Sequence, residues 1–289
     1  MRHLTKKPMK FNLIFLIFIT FNSFCQTNTD STIVKNKVKE VRIFDSKDNL
    51  VSVSKYDLKG NLLFKSMDNF TSAVFLKISE INTYNENGKL IKKISTHSSF
   101  KEPTIWIKEY DKNQNLMSIK DEKGNLIFQF FYDDSNFKNK EIMYVDNKMS
   151  ETTLYEKRDN GNEIISLING DFLKDRKNIS FFDENKNEIN TESYNNENLR
   201  FSSNSTYEKN RIVKIIYNET NSQSGNNYYY DSKNRLIKRE LFDLENGKEI
   251  NGNYEVFEYL ENDLIKKYTE NIYSLSGLKE YRYEYDYFK

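Results

Sequence analysis

The stretch Tyr56-Asp57-Leu58-Lys59-Gly60-Asn61-Leu62-Leu63 decides the fold, because its pattern returns along the chain. It recurs as Tyr84-Asn85-Glu86-Asn87-Gly88-Lys89-Leu90-Ile91, Tyr110-Asp111-Lys112-Asn113-Gln114-Asn115-Leu116-Met117 and Tyr230-Asp231-Ser232-Lys233-Asn234-Arg235-Leu236-Ile237. Weaker copies start at Phe44, Lys120, Phe182, Tyr194, Tyr207 and Phe242. Each position has a mechanical role. The aromatic ends one strand, and the Asp or Asn beside it bonds backbone groups further on and so starts a turn. Gly60, Gly88 and Gly124 fall where a short hairpin loop needs a left-handed residue, and Asn234, the next most tolerant type, stands in for glycine in one copy. The aliphatic pair opens the next strand.

Working outward, the turn positions pair at 45 and 57, 121 and 133, 183 and 195, and 231 and 243, each twelve apart. Subtracting a short loop leaves about eight residues per strand, or about 26 Å. The longer intervals, 57 to 85 and 85 to 111, imply unmarked turns at the opposite edge. Roughly 16 to 20 strands then fit the chain. Alternation at the C-terminus supports strands over helices: Tyr281, Tyr283, Tyr285 and Tyr287 share one face, and Arg282, Glu284 and Asp286 the other. Pro103 marks a loop after Thr96-His97-Ser98-Ser99, and Asn221 to Asn227 reads as a long polar loop. The expected fold is all-β: an extended antiparallel β-meander of repeated hairpins in a curved or spiralling sheet, because open sheets of more than about 10 strands curl or split.

The Tyr-Asp-x-x-Gly-x-Leu pattern with aromatic strand ends resembles the YD-repeat (Rhs-like) proteins over residues 44–289. That resemblance implies a spiralling β-sheet, and a surface that binds carbohydrate or partner proteins at the cell exterior. The chain departs from the family in three ways. The arginine usual after the glycine occurs only as Arg235, no autoproteolytic core motif is found, and no toxin-like extension follows.

Residues 1–25 are of another kind. Arg2, Lys6, Lys7 and Lys10 precede the apolar run from Phe11 to Ile19, the layout of a secretory signal peptide. Ser23-Phe24-Cys25-Gln26 offers cleavage between Cys25 and Gln26; lipidation of Cys25, which bulky Phe24 disfavours, is the other route. Residues 26–43 form a lead-in to the repeat domain. The expected location is exported: periplasmic, cell-surface or secreted. Cleavage after Cys25 removes the only cysteine, and with it disulfides, thiol catalysis and thiolate metal sites. Asp30-Ser31-Thr32 matches an acceptor for bacterial O-glycosylation at Ser31.

Charge and composition limit function further. The whole chain has 44 basic and 43 acidic residues; without the four basic leader residues the mature part carries a small negative excess. No basic stripe stands out, so nucleic-acid binding lacks its electrostatic basis. His97 is the only histidine outside the leader, too few for a zinc site, and beside Ser98 and Ser99 it reads as a polar loop and not as a triad. Asp183 to Glu188 spaces oxygen side chains as a calcium loop does, but without the glycine and glutamate such a loop needs it reads as a hairpin turn. No metal and no cofactor are expected, and the turn aspartates Asp57, Asp111 and Asp231 are structural.

One constructive feature remains, the aromatic clusters Tyr228, Tyr229, Tyr230 and Tyr281, Tyr283, Tyr285, Tyr287. They suggest a stacking platform for sugars or peptides, with the last strand as a free edge open to β-augmentation. The functional expectation is therefore a non-enzymatic cell-envelope or secreted repeat protein that binds or scaffolds a protein or carbohydrate partner, touching the membrane only if Cys25 is lipidated. An outer-membrane β-barrel and a carboxylate-dependent glycoside hydrolase are the alternatives.

Overall fold

The computed structural model describes residues 30–71, 74–171, 175–272 and 277–289, so the cleavage position at Cys25 and Gln26 lies outside the described residues. Among the described residues a short helix, α1 (Asp30–Lys35), precedes twenty strands. They are β1 Val38–Asp45, β2 Leu50–Tyr56, β3 Leu62–Thr71, β4 Val74–Tyr84, β5 Leu90–His97, β6 Thr104–Tyr110, β7 Leu116–Lys120, β8 Leu126–Tyr132, β9 Lys138–Val145 and β10 Lys148–Arg158. The second half comprises β11 Glu163–Gly170, β12 Arg176–Phe182, β13 Glu188–Asn195, β14 Asn198–Glu208, β15 Arg211–Glu219, β16 Gln223–Tyr230, β17 Leu236–Glu245, β18 Lys248–Tyr259, β19 Ile265–Ile272 and β20 Gly277–Tyr287.

Every strand pairs antiparallel with its neighbours in the chain, and β20 also pairs with β1, so the sheet is a closed twenty-strand barrel. The expected β-meander is present, but it closes and does not spiral open. The reason lies at the seam: Val41 and Ile43 stand opposite Tyr285 and Tyr283, giving the last strand an apolar partner. Accordingly β20 is not a free edge.

The turns follow the repeat chemistry closely. Asp57 Oδ1 accepts the backbone N–H groups of Lys59 (2.8 Å) and Asn61 (2.9 Å), and Oδ2 accepts the Asn61 side-chain amide (2.9 Å). The same set recurs at Asp121 with Asn125 and at Asp183 with Asn187. At Asp231 the side-chain donor is Arg235, whose Nε lies 2.7 Å from Oδ2. Asparagine makes, at Asp57, Asp121 and Asp183, the bond to the turn aspartate that Arg235 makes to Asp231. Gly60, Gly88 and Gly124 have φ between 74° and 83°, and Asn234 has 65°, so the left-handed position is where the sequence placed it. Three copies fall elsewhere. Phe242 and Asp243 sit inside β17, and the turns after Asn195 and Glu208 are the two-residue Asn196-Glu197 and Lys209-Asn210. The expected loop at 221–227 is largely strand, because Gly225 leaves room for the Phe242 ring against β16.

These bonds carry a pH dependence. The side-chain amides of Asn125 and Asn187, with backbone N–H groups of the turns, hold Asp121 and Asp183 below the ordinary carboxylate value. A carboxylate lowered on folding adds stability above its unfolded pKa, about 3.8, and loses it as pH falls through the lower folded value. We expect the thermal midpoint to drop between about pH 5 and pH 2, and the double variant Asp121→Asn, Asp183→Asn to flatten that drop. An unchanged slope would remove the turns as its source.

The repeat's tyrosine does more than end a strand. The hydroxyls of Tyr84, Tyr110, Tyr132, Tyr230, Tyr259 and Tyr285 donate to the carbonyls of Leu62, Leu90, Leu116, Ile212, Leu236 and Ile265, at 2.5–3.1 Å. Tyr207 bonds Glu188 likewise. Each bond crosses the open base of one hairpin, from the end of its second strand to the start of its first. The structural unit is thus a stapled hairpin, and β9–β10 and β11–β12 carry Arg158 and Phe182 where the tyrosine would stand. Burial raises the Tyr259 hydroxyl to about 12. Tyr259→Phe is expected to cost about 1 kcal/mol, the worth of one such bond plus an unmet acceptor, read by urea unfolding.

Hydrophobic burial is concentrated at the seam. Ile33 of α1 packs with Val38, Val41, Leu264, Ile265 and Tyr268 in one cluster. Lys35 pairs with Asp263 at 3.1 Å, and Asn36 donates to the Asn262 carbonyl at 3.0 Å, tying the helix to the β18–β19 turn.

Elsewhere the wall is a single layer. Side chains converge on the concave side of a curved sheet, and most of the buried small polar residues, Ser52, Ser54, Asn82, Thr153, Ser193 and Ser203, share one face by register with Val41 and Ile43 of the seam cluster; this is the inner face, and Ser118 is an exception on the outer one. Twenty strands spaced about 4.8 Å and tilted about 40° make a circle about 40 Å across. The inner-face rings Trp106, Phe128 and Tyr217 are only half-buried, so side chains do not fill the lumen.

Candidate functional site

The outer face mixes ion pairs with apolar rows, among them Phe64, Ile81 and Ile94 on β3, β4 and β5. Arg42 pairs with Asp286 (3.0 Å), Lys120 with Glu109 (2.7 Å), and Lys267 with Glu280 (2.7 Å). Against this background β10 and β11 present a directly opposed pair, Leu154 and Leu167, exposed to 48% and 45%. Beside them Phe131 carries Lys140 Nζ over its ring at 5.4 Å. Two shallow hollows, of about 650 and 790 Å³, both include Leu154 and Leu167 in their linings. The first adds Phe131, Lys140 and Glu156, and the second Met149, Asn169 and Lys177. An aromatic, two leucines and flanking charges of both signs form a surface that can bury apolar area and fix polar groups around it.

The tyrosines singled out in the sequence do not form a platform. Tyr228 lies on the inner face opposite Arg239, and Tyr230 and Tyr285 staple hairpins. Tyr283 is buried, and Tyr281 donates to Glu270 at 3.2 Å. Of these seven residues only Tyr229 and Tyr287 are exposed, and they stand on opposite faces at distant points of the wall. Tyr229 donates to Glu240 at 2.5 Å, which with burial pushes its hydroxyl up to about 12. The grouping failed because alternation sends neighbouring tyrosines to opposite faces and closure covers the last strand. Leu154 and Leu167 escaped notice because single leucines in alternating strands look like core positions; only the pairing and the curvature show them facing outward.

Two carboxylates do meet. Glu255 on β18 and Glu270 on β19 stand opposite one another on the inner face, 3% and 2% exposed. The Tyr268 hydroxyl lies between them, 2.9 Å from Glu255 and 3.0 Å from Glu270, and Arg239 Nε lies 2.5 Å from Glu255 Oε2. Glycoside hydrolysis needs room for a sugar between its two carboxyls, whereas here that space holds a phenol. Among the described residues no group of three or more His, Cys, Asp or Glu side chains is placed to hold a metal. His97 accepts the Ser99 backbone N–H at 3.2 Å and packs on Phe100. Ser31 is exposed on α1.

The chain is a closed antiparallel barrel built from ten hairpins. No family model and no curated protein matches it. Among solved structures it is similar to a porin-like protein from Bacteroides uniformis, 9% identical with a TM-score of 0.39, covering 87% of this chain and 97% of that one. It is also similar to TcdB2-TccC3 without its hypervariable C-terminal region, 11% identical with a TM-score of 0.24, covering 88% of this chain. The match spans only 17% of that second, much longer chain.

Proposed function

We propose that the protein is an exported barrel of the cell envelope that binds a protein or carbohydrate partner on its outer surface and does not turn over a substrate. The observation that carries this reading is the exposed Leu154–Leu167 pair at the junction of two hollows, flanked by Lys140, Glu156 and Lys177. Contiguous exposed apolar surface rimmed by polar groups is a mark of interaction sites. Capture of partners from envelope extracts and binding to a glycan panel test it. The variant Leu154→Lys, Leu167→Glu is expected to lose the partners that wild type retains; equal retention by both refutes the site.

A membrane-embedded barrel is the second reading. Closure without a free strand edge favours it, because a bilayer offers no partner to unpaired backbone groups. An outer band without charge is also needed, and Arg42, Lys120, Lys214 and Lys267 lie within strands on the outer face. The first reading therefore expects the mature protein to stay monodisperse in buffer without detergent, and recovery only in detergent would favour the second.

A further inference from the structure

Hydrogen counting at the buried carboxylates carries an inference that holds whatever partner the outer face takes. A tyrosine hydroxyl has one hydrogen, yet Tyr268 Oη is within 3.0 Å of oxygens from both Glu255 and Glu270. With both carboxyls ionised, one oxygen would face a phenol oxygen with no proton between them, and two negative charges would lie opposite each other out of water. Arg239 decides which one keeps its charge, since its guanidinium touches Glu255 and not Glu270.

We propose that Glu270 holds a proton at neutral pH, donating it to the Tyr268 hydroxyl, which in turn donates to the Glu255 carboxylate, and that removing this proton weakens the wall beside the β20–β1 seam. The other groups facing the site are Tyr228 from β16, at Arg239, and Tyr281 and Lys279 from β20, where Lys279 stands opposite Glu270. Burial is the largest influence and raises the Glu270 carboxyl above its ordinary value, helped by the nearby Glu255 charge, whereas hydrogen bonds from Tyr268 and Tyr281 and the charge of Lys279 favour the ionised form. Proton loss breaks the Glu270-to-Tyr268 bond and leaves a carboxylate with Tyr281 as its remaining donor.

The sign follows from linkage. A carboxyl raised on folding is bound more tightly to its proton in the folded state, so stability is greatest below the unfolded pKa of about 4.5. It falls as pH rises towards the folded value and is level above it. One such proton changes the unfolding constant by up to about tenfold per pH unit within that window.

The test uses the mature protein and reads the infrared carbonyl stretch of protonated carboxyls. Wild type is expected to show that band at pH 7 and to lose it on titration to higher pH. Glu270→Gln, which keeps a donor at the same place, should lack the band, retain the fold, and show a flatter stability profile between pH 5 and the folded pKa. Glu151→Gln is the control, because burial raises Glu151 too; the band should survive that change. A wild-type spectrum without the band at pH 7, or a band that disappears in Glu151→Gln and survives in Glu270→Gln, overturns the proposal. Should Glu270→Gln fail to fold, the wild-type titration together with Glu151→Gln still decides.

Discussion

Arg239→Ala is expected to lower the unfolding free energy by about 3–5 kcal/mol, the usual result of stranding one member of a buried ion pair. Glu255 is 3% exposed, and its contact with Arg239 is a close ion pair, Nε to Oε2 at 2.5 Å. Without the guanidinium, the Glu255 charge has only the single hydrogen of the Tyr268 hydroxyl. The loss should be read by guanidinium chloride unfolding at pH 7. Replacing both partners, Arg239→Met with Glu255→Leu, should recover most of it, because an apolar pair removes the desolvation cost of both charges. A loss below about 1 kcal/mol in the single variant would mean that water reaches the pair.

Gly225→Ala should cost about 3 kcal/mol, the upper end for forcing atoms into a packed site. A Cβ there would lie 2.4 Å from the Ile215 carbonyl oxygen and 2.4 Å from Phe242 Cζ. The ring could rotate away, but the carbonyl belongs to the β15–β16 ladder and cannot move without breaking it. Adding Phe242→Leu should therefore rescue only part of the loss. Full rescue would show that the ring alone made the contact. Thermal unfolding of the two variants side by side distinguishes these outcomes.

Much of the fold was legible from local chemistry. Asp57, Gly60 and Asn61 act within five residues of one another, so the sequence window that shows the pattern also contains the whole turn. Strand number followed from turn spacing. Closure was not legible, because it depends on Val41 and Ile43 meeting Tyr285 and Tyr283 from the other end of the domain, and no local pattern encodes that meeting. The staples were half-legible: the tyrosines were evident, but their carbonyl acceptors lie 16–23 residues away. The binding surface fared worst. Tyr281 and Tyr283 looked available in sequence and are covered by the seam, whereas no local pattern marks Leu154 and Leu167 as outward-facing.

Closure also orders events in time. Val38 and Tyr287 pair although 249 residues separate them, so joining them costs about 3 kcal/mol more chain entropy than forming a single hairpin. Hairpins and their staples can form from neighbouring residues; the hoop cannot. An arc of stapled hairpins with two raw edges is thus the natural precursor, and each edge matches the other end of any second arc as well as its own. At high concentration, arcs can join head to tail before they can close, so the yield of the ring depends on keeping chains apart until the last strand finds the first.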